Sequence, residues 1–178
     1  MRLERGERLG CAIEQRHGIT FTLDLACTLE NCVAPFGLTQ EQDALRPDVR
    51  WRAPGTGTWS FCNPPYDPIA PWVRKAVDEQ AQGAQLALLV PASVGANWWR
   101  DSVHGRARVL FLNGRVTFVG ESDAYPKDCA VLLYAAHVLP GYDVWSWAGA
   151  TATPRLPWDD ADRLAPVEAA PDAMVTRW

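Results

Sequence analysis

The sequence has few of the features that assign a protein to a class at first sight. It contains no apolar run of the roughly 18 residues that a membrane-spanning helix requires, and its start, MRLERGERLG, is charged throughout. A secretory signal would need an apolar segment there. Positive charge is not in excess, since the formal net charge is −4. We therefore expect a cytoplasmic protein without a membrane span, and net charge alone does not indicate a nucleic-acid partner.

Metal-binding patterns are also missing. The histidines, at positions 17, 104 and 137, are scattered along the chain. Five cysteines stand at positions 11, 27, 32, 62 and 129, and an odd number without an export signal favours free thiols in a reducing compartment. Cys27 and Cys32 are close in sequence, but no second close pair and no nearby histidine completes a zinc set. The sequence therefore predicts free thiols and no metal ion.

Length and composition indicate one globular domain and a tail. A chain of 178 residues with 48% hydrophobic and 21% charged residues is ordinary for a folded protein and too short to hold two domains comfortably. Beyond residue 151 the composition shifts to proline, alanine and aspartate, which cannot bury much apolar surface. We expect a domain over residues 1–150 and a weakly structured tail over residues 151–178.

Helix and strand patterns alternate within the domain. Apolar periodicity predicts helices over residues 8–17 and 94–103, and a third helix that Asp67 caps, with Pro68 in its first turn and Gly83 at its end. Alternation implies a doubly wound α/β fold with a mostly parallel sheet. The last three strands have no helix between them and predict antiparallel pairing at one edge. The predicted strands are residues 21–25, 59–62, 86–90, 108–112, 116–119 and 129–136.

The segment that indicates chemistry is Asn63-Pro64-Pro65-Tyr66, at the carboxyl end of a predicted strand. Ligands of open α/β sheets bind at that edge. Two consecutive prolines fix the backbone and present the Pro64 carbonyl as an acceptor, and the Asn63 side-chain oxygen is a second uncharged acceptor. The pair is suited to hold both hydrogens of a planar exocyclic amine, while Tyr66 offers a face on which a base can stack.

These groups suit methylation of that amine. Its lone pair is delocalised into the ring, so hydrogen bonds that strengthen as the nitrogen becomes tetrahedral stabilise the transition state more than the ground state. The sulfonium of S-adenosylmethionine supplies the methyl group by in-line displacement, without a metal or a covalent enzyme intermediate. A proline-rich turn that only closes the core is the alternative interpretation of the same four residues.

Five segments in order resemble the successive blocks of the phage DNA N6-adenine methyltransferases. They are FTLDLACTLENC, WSFCNPPYDPIAPWVRKA, LALLVPA, VLFLNGRVTF and YPKDCAVLLYA, and together they span residues 19–136. The resemblance implies a Rossmann-like methyltransferase fold, S-adenosylmethionine as cofactor, and adenine in double-stranded DNA as substrate. By position, Asn63, Pro64, Pro65 and Tyr66 carry over as the catalytic motif.

The resemblance also implies cofactor-binding residues. Asp24, with Ala26 and Cys27 after it, matches the family's acidic cofactor-binding block, although an aspartate here could equally cap a turn. Asp43, within EQDAL, stands where the family has an Asp-x-Leu segment near the cofactor adenine. The family's usual Trp-x-Thr-Pro start is replaced by MRLERGERLG, so we expect an incomplete cofactor segment and weak cofactor binding, unless the true start lies upstream.

Three residues are candidates for DNA contacts. Trp98, beside Trp99, could stack on a base, although one of the two is expected to pack inward. Arg100 and Arg115 lie in residues 97–127, where basic residues outnumber acidic ones, and Arg115 also fits a hairpin turn. Methylation of protein glutamine or RNA adenine stays open, as does a catalytically impaired relic that acts as a DNA-binding or interaction module.

Overall fold

A seven-stranded sheet organises the part of the chain that the computed structural model describes, residues 5–28, 31–118 and 123–147. No helix in these ranges is long and apolar enough to cross a bilayer. The predicted tail, residues 151–178, lies outside them.

The helices are α1 (Arg5–His17), α2 (Ala70–Ala81) and α3 (Asn97–Ser102), with a 3-10 turn at Gln40–Gln42. The strands are β1 (Phe21–Asp24), β2 (Phe36–Gly37), β3 (Trp59–Cys62), β4 (Leu86–Pro91), β5 (Arg108–Asn113), β6 (Cys129–Tyr134) and β7 (Gly141–Ser146).

The strands lie in the order β2-β1-β3-β4-β6-β5-β7. Neighbouring strands are parallel except at β6, which is antiparallel to both β4 and β5. The mostly parallel α/β sheet predicted from the sequence is thereby confirmed. The reversed strand is an inner strand, however, and the outermost strand on that side is β7, which is parallel to β5.

Both faces of the sheet are covered. Leu86, Leu88 and Val90 of β4 point to a core shared with α2, α3 and the segment around Trp51. Ala87 and Leu89 point to a second core that contains apolar residues of α1. Burial on both faces explains why β4 and β6 are continuous apolar runs without the polar alternation of a half-exposed strand.

Three predicted elements differ from the structure. Residues 116–118 form no strand, and the Val116 carbonyl instead accepts the Tyr125 amide at 2.8 Å, in the segment before β6. Asp67 does not cap α2, whose N-cap is Ile69. The helix starts beyond Pro68, and Pro71 is the proline in its first turn. The helix predicted over residues 94–103 is shortened to α3, which begins only after Gly95.

Candidate active site

The sheet reverses its winding between β1 and β3. From β1 the chain passes to β2 on one side and then returns to β3 on the other. Asp24 is in register with Phe61, and the Leu25 amide donates to the Phe61 carbonyl at 2.8 Å. The carboxyl ends of the two strands therefore lie side by side, at the switch point where doubly wound sheets bind ligands.

A cavity of about 700 Å³ opens at this switch point, within the ~300–1,000 Å³ range of small-molecule sites. It brings together residues that are far apart in the sequence, from the β1–β2 connection, the segment after β3, and residues 118 and 123–126. Seven residues predicted from the sequence line it: Ala26, Cys27, Asp43, Asn63, Pro64, Pro65 and Tyr66.

The NPPY tetrapeptide follows a strand that is buried along its whole length. Pro64 is buried, Asn63 and Tyr66 are half-buried, and Pro65 is exposed. No group in the described part of the chain hydrogen-bonds to the Asn63 amide, so its oxygen is available to a ligand in the cavity. A rigid strand thus presents the two acceptors that the sequence predicted.

Three aromatic rings meet beside this motif. The Tyr66 ring centroid lies 5.8 Å from that of Phe118 and 5.4 Å from that of Tyr125, and the latter two are 5.6 Å apart. All three pairs are edge to face, a favourable arrangement for aromatic rings. Burial, and then the neighbouring Cys129 thiol, raise the pKa of the Tyr66 phenol. Phe118 and Tyr125 were not predicted as site residues, because they reach the cavity from a segment interpreted as strand and loop.

Asp24 lies beneath the cavity wall and does not line it. Its side chain is 2% exposed. One carboxylate oxygen accepts the Ala26 amide at 3.1 Å and the other accepts the Val33 amide at 3.0 Å. Burial raises the pKa of this carboxyl group, and the two amide hydrogen bonds oppose that shift. The Asp24 carboxylate thus caps the turn after β1, the alternative that the sequence left open, and direct contact of Asp24 with a cofactor stays a prediction.

The expectation that all five cysteines are free thiols is wrong for two of them. Cys27 and Cys32 form a disulfide, with their Cα atoms 5.1 Å apart, whereas Cys11, Cys62 and Cys129 are free. The number of cysteines in the sequence could not predict this bond. The Asp24 carboxylate holds the two ends of the loop that carries Cys27 and Cys32, and so brings the two cysteines together. Asp24, Cys27 and Cys32 also place their donor atoms within 4.8 Å of one another, but the carboxylate oxygens accept amides and the sulfurs are bonded to each other.

Asp43 stands exposed at the cavity rim, directly after the 3-10 turn. It has a positive φ of 44°, and its carboxylate accepts the Leu45 amide at 3.1 Å. The segment that follows is fastened by Lys75, whose ammonium group donates to the carbonyls of Ala44, Arg46 and Val49 at 2.6–2.8 Å. This anchoring fixes the backbone that presents Asp43 to the cavity.

The three candidates for DNA contacts lie outside the cavity. Trp99 is buried, and Trp98 is half-buried with its ring centroid 5.5 Å from that of Trp99. Arg100 donates to the Asp101 carboxylate at 2.6 and 3.0 Å. Arg115 hydrogen-bonds to two backbone carbonyls, those of Tyr125 and Pro126. In this conformation Arg115 supports one wall of the cavity.

A doubly wound sheet of this topology, with a cavity at its switch point, is consistent with a Rossmann-like methyltransferase fold. The particular family follows from comparison with known proteins. The profile of the DNA N-6-adenine-methyltransferase (Dam) family matches residues 6–134, and the chain belongs to that family. This confirms the resemblance drawn from the five sequence segments.

Two individual proteins illustrate the similarity. The DNA N-6-adenine-methyltransferase of Escherichia phage T1 is 28% identical over 115 residues, which are 65% of this chain and 46% of the phage protein. The match therefore spans less than half of that relative. The crystal structure of a predicted O-methyltransferase from Agrobacterium tumefaciens aligns with a TM-score of 0.32 and 20% identity, over 58% of this chain and 49% of that one. A similarity at this level supports no conclusion about the present chain.

Proposed function

We propose that this protein transfers a methyl group from S-adenosylmethionine to the N6 amine of adenine in DNA. The observation that carries the proposal is that one cavity contains both the NPPY tetrapeptide and the loop after β1. Family membership supports the same reaction, and the name of the phage T1 relative agrees with it.

The cavity wall formed by residues 25–28, 31, 38–40 and 43–44 fits the cofactor chemically. Leu25, Leu38 and Ala44 offer apolar contacts for an adenine ring. Thr28, Asn31 and Asp43 offer polar atoms for a ribose and an amino-acid group, which is the pattern expected of a pocket with a few orienting polar groups. These residues would hold S-adenosylmethionine, which supplies an electrophilic methyl group on sulfur when bound.

The opposite wall fits a target base. The Asn63 side-chain oxygen and the Pro64 carbonyl would accept the two hydrogens of the adenine amine and aim its lone pair toward the cofactor side. Their hydrogen bonds strengthen as positive charge develops on the nitrogen, so they lower the barrier more than they tighten substrate binding. Tyr66 would stack on the base, with Phe118 and Tyr125 holding its ring in place.

A paired adenine cannot reach this site, because its amine is hydrogen-bonded within the duplex. Enzymes that modify bases rotate the target nucleotide out of the stack at a cost of a few kcal/mol. Stacking on an aromatic side chain stabilises a base by about 1–3 kcal/mol. The aromatic wall beside Asn63 is thus suited to stabilise a base in the flipped position.

The test is to supply tritiated S-adenosylmethionine with unmethylated duplex DNA, RNA or protein, and to identify the labelled product by mass spectrometry. We expect N6-methyldeoxyadenosine from DNA, and its loss in Asn63→Ala. Label on protein glutamine or RNA adenine would show that protein or RNA, and not DNA, is the substrate. Cofactor binding without label on any of the three would indicate a catalytically impaired protein.

A further inference from the structure

We propose that Cys27 and Cys32 form a reversible disulfide that controls the shape, and hence the affinity, of the cofactor side of the cavity. This inference rests on the proposed function, since it takes S-adenosylmethionine as the ligand. Cys27 lines the cavity and is 8% exposed, whereas Cys32 lies behind it and is half-buried. The disulfide therefore joins the cavity wall to a partly accessible residue outside it.

The disulfide closes the part of the loop that Asp24 does not reach. The Asp24 carboxylate holds Ala26 and Val33, which lie just outside the bridged pair. Between the two cysteines, the Thr28 amide donates to the Asn31 side chain at 2.6 Å, and the Asn31 amide donates to the Thr28 carbonyl at 3.3 Å. Thr28 and Asn31 both line the cavity, so the pair that closes this inner turn also positions two residues of the cofactor wall.

The packing beneath the sulfur atoms couples their bonding state to the loop. Gly37 of β2 lies against both sulfurs so closely that a Cβ atom at this position would overlap each of them. Reduction breaks the bond that ties Cys27 to Cys32, and any movement of Cys27 that follows changes the cavity wall.

A low-molecular-weight disulfide such as oxidised glutathione is a suitable oxidant. The more accessible Cys32 thiolate attacks one glutathione sulfur, which forms a mixed disulfide and releases one glutathione thiolate. The Cys27 thiolate then attacks the Cys32 sulfur, which closes the protein disulfide and releases the second glutathione thiolate. The two cysteines lose two electrons and two protons in total, and one molecule of oxidised glutathione becomes two of the reduced form.

The experiment uses the full chain equilibrated with defined mixtures of reduced and oxidised glutathione. Alkylation and peptide mapping report the bridge, amide exchange reports the order of residues 25–33, and calorimetry reports S-adenosylmethionine affinity. We expect the oxidised form to exchange more slowly in this segment and to bind the cofactor roughly tenfold more tightly, because a preorganised loop loses less entropy on binding.

Two variants provide the controls. Cys32→Ser should abolish the response to glutathione, whereas Cys11→Ser, which alters a free cysteine in α1, should preserve it. If Cys32→Ser does not fold, the two redox forms of the wild-type chain still give the comparison. A pair that stays reduced in excess oxidised glutathione overturns the proposal, as do equal exchange rates in the two forms. If neither form binds the cofactor, the proposed function is wrong, and the exchange rates still decide whether the disulfide shapes this wall.

Discussion

The guanidinium group of Arg115 donates a hydrogen bond to the backbone carbonyl of Tyr125 at 3.3 Å. It also bonds the Pro126 carbonyl and lies 3.7 Å from the Asp128 carboxylate. One side chain at the end of β5 thus fastens the segment that carries Tyr125 into the aromatic wall. Arg115 therefore supports the aromatic wall in this structure, and its contact with a phosphate stays a prediction.

Arg115→Ala is expected to loosen residues 123–128 and to weaken binding of a flipped base by roughly tenfold, since hydrogen bonds from a charged donor are worth about 1.5–3 kcal/mol. Cofactor affinity should not change. DNA binding measured at several salt concentrations separates this role from phosphate contact, which would reduce the slope of the salt dependence by about one. Arg52→Ala is the matched control, because it removes an exposed arginine that lies outside the cavity and is not a candidate for DNA contact.

Asn63→Ala should lower turnover by a factor on the order of 100 to 1,000, the usual effect of losing one preorganised donor or acceptor in the transition state. The cofactor side of the cavity is untouched, so affinity for S-adenosylmethionine should stay the same. Tritiated methyl incorporation and calorimetry measure the two quantities. Asn97→Ala, at an exposed asparagine in α3, should retain full activity. Near wild-type turnover in Asn63→Ala would end the proposed role.

Substitutions of Tyr66 should separate its ring from its hydroxyl. Tyr66→Phe and Tyr66→Trp keep a stacking surface, so we expect them to retain base binding, whereas Tyr66→Ala loses about 1–3 kcal/mol. The measurement of base binding is the fluorescence of 2-aminopurine placed at the target position. This fluorescence rises when the base leaves the stack. Equal losses in all three variants would instead assign the function to the hydroxyl group.

His17 should make the protein less stable in acid. Its ring is 9% exposed, and neither ring nitrogen has a hydrogen-bond partner in the described part of the chain. Burial, and then the neighbouring Arg16 and Arg108 cations, lower its pKa from 6.5 to about 4. Between these pH values the unfolded chain binds a proton that the folded chain does not. The free energy of unfolding should therefore fall as the pH decreases from 6.5 to 4, by up to roughly 3 kcal/mol.

Urea unfolding of the wild-type chain and of His17→Phe across this pH range measures the effect. The variant cannot take up the proton, so its free energy of unfolding should depend less on pH. His17→Gln, which keeps a polar side chain, should show the same reduced dependence. If His17→Phe retains the wild-type slope, the acid sensitivity arises from other groups.

A chain that ends at residue 150 should keep its far-ultraviolet dichroism and unfold cooperatively. The composition beyond residue 151, rich in proline, alanine and aspartate, cannot bury much apolar surface, so we expect the folded core not to depend on it. Thermal melts of the truncated and complete chains provide the comparison. An insoluble or molten truncated protein would show that the boundary predicted at residue 150 is wrong.

The sequence predicted those parts of the structure that depend on local pattern. Strand β3, the tetrapeptide after it and the body of α2 follow from a buried apolar run, two prolines and helical spacing within 59–81. Strand pairing is a different problem, because residues 116–118 have a strand-like composition and yet join no strand of the sheet. Alternation within one segment cannot show which edges of a sheet are free.

The candidate site was predictable only in part, for the same reason. Asn63 and Tyr66 belong to one recognisable motif, whereas Phe118 and Tyr125 join them only through the tertiary fold. The Cys27–Cys32 pair depends on the way that Asp24 folds its loop. Residues that come together from distant segments have no characteristic spacing in the sequence, so a single sequence cannot predict that they share a site.

The reversed direction of β6 has a consequence for how such a site can diversify. In a parallel sheet the residues that follow each strand meet at one edge, but a reversed strand delivers to that edge the residues that precede it. The cavity is therefore assembled from exit segments, which form its cofactor side and carry the NPPY tetrapeptide, and from one entry segment, residues 123–126, which adds Tyr125 to its substrate side. Insertions or deletions before β6 can then alter the choice of substrate while the loops that would hold the methyl donor keep their lengths.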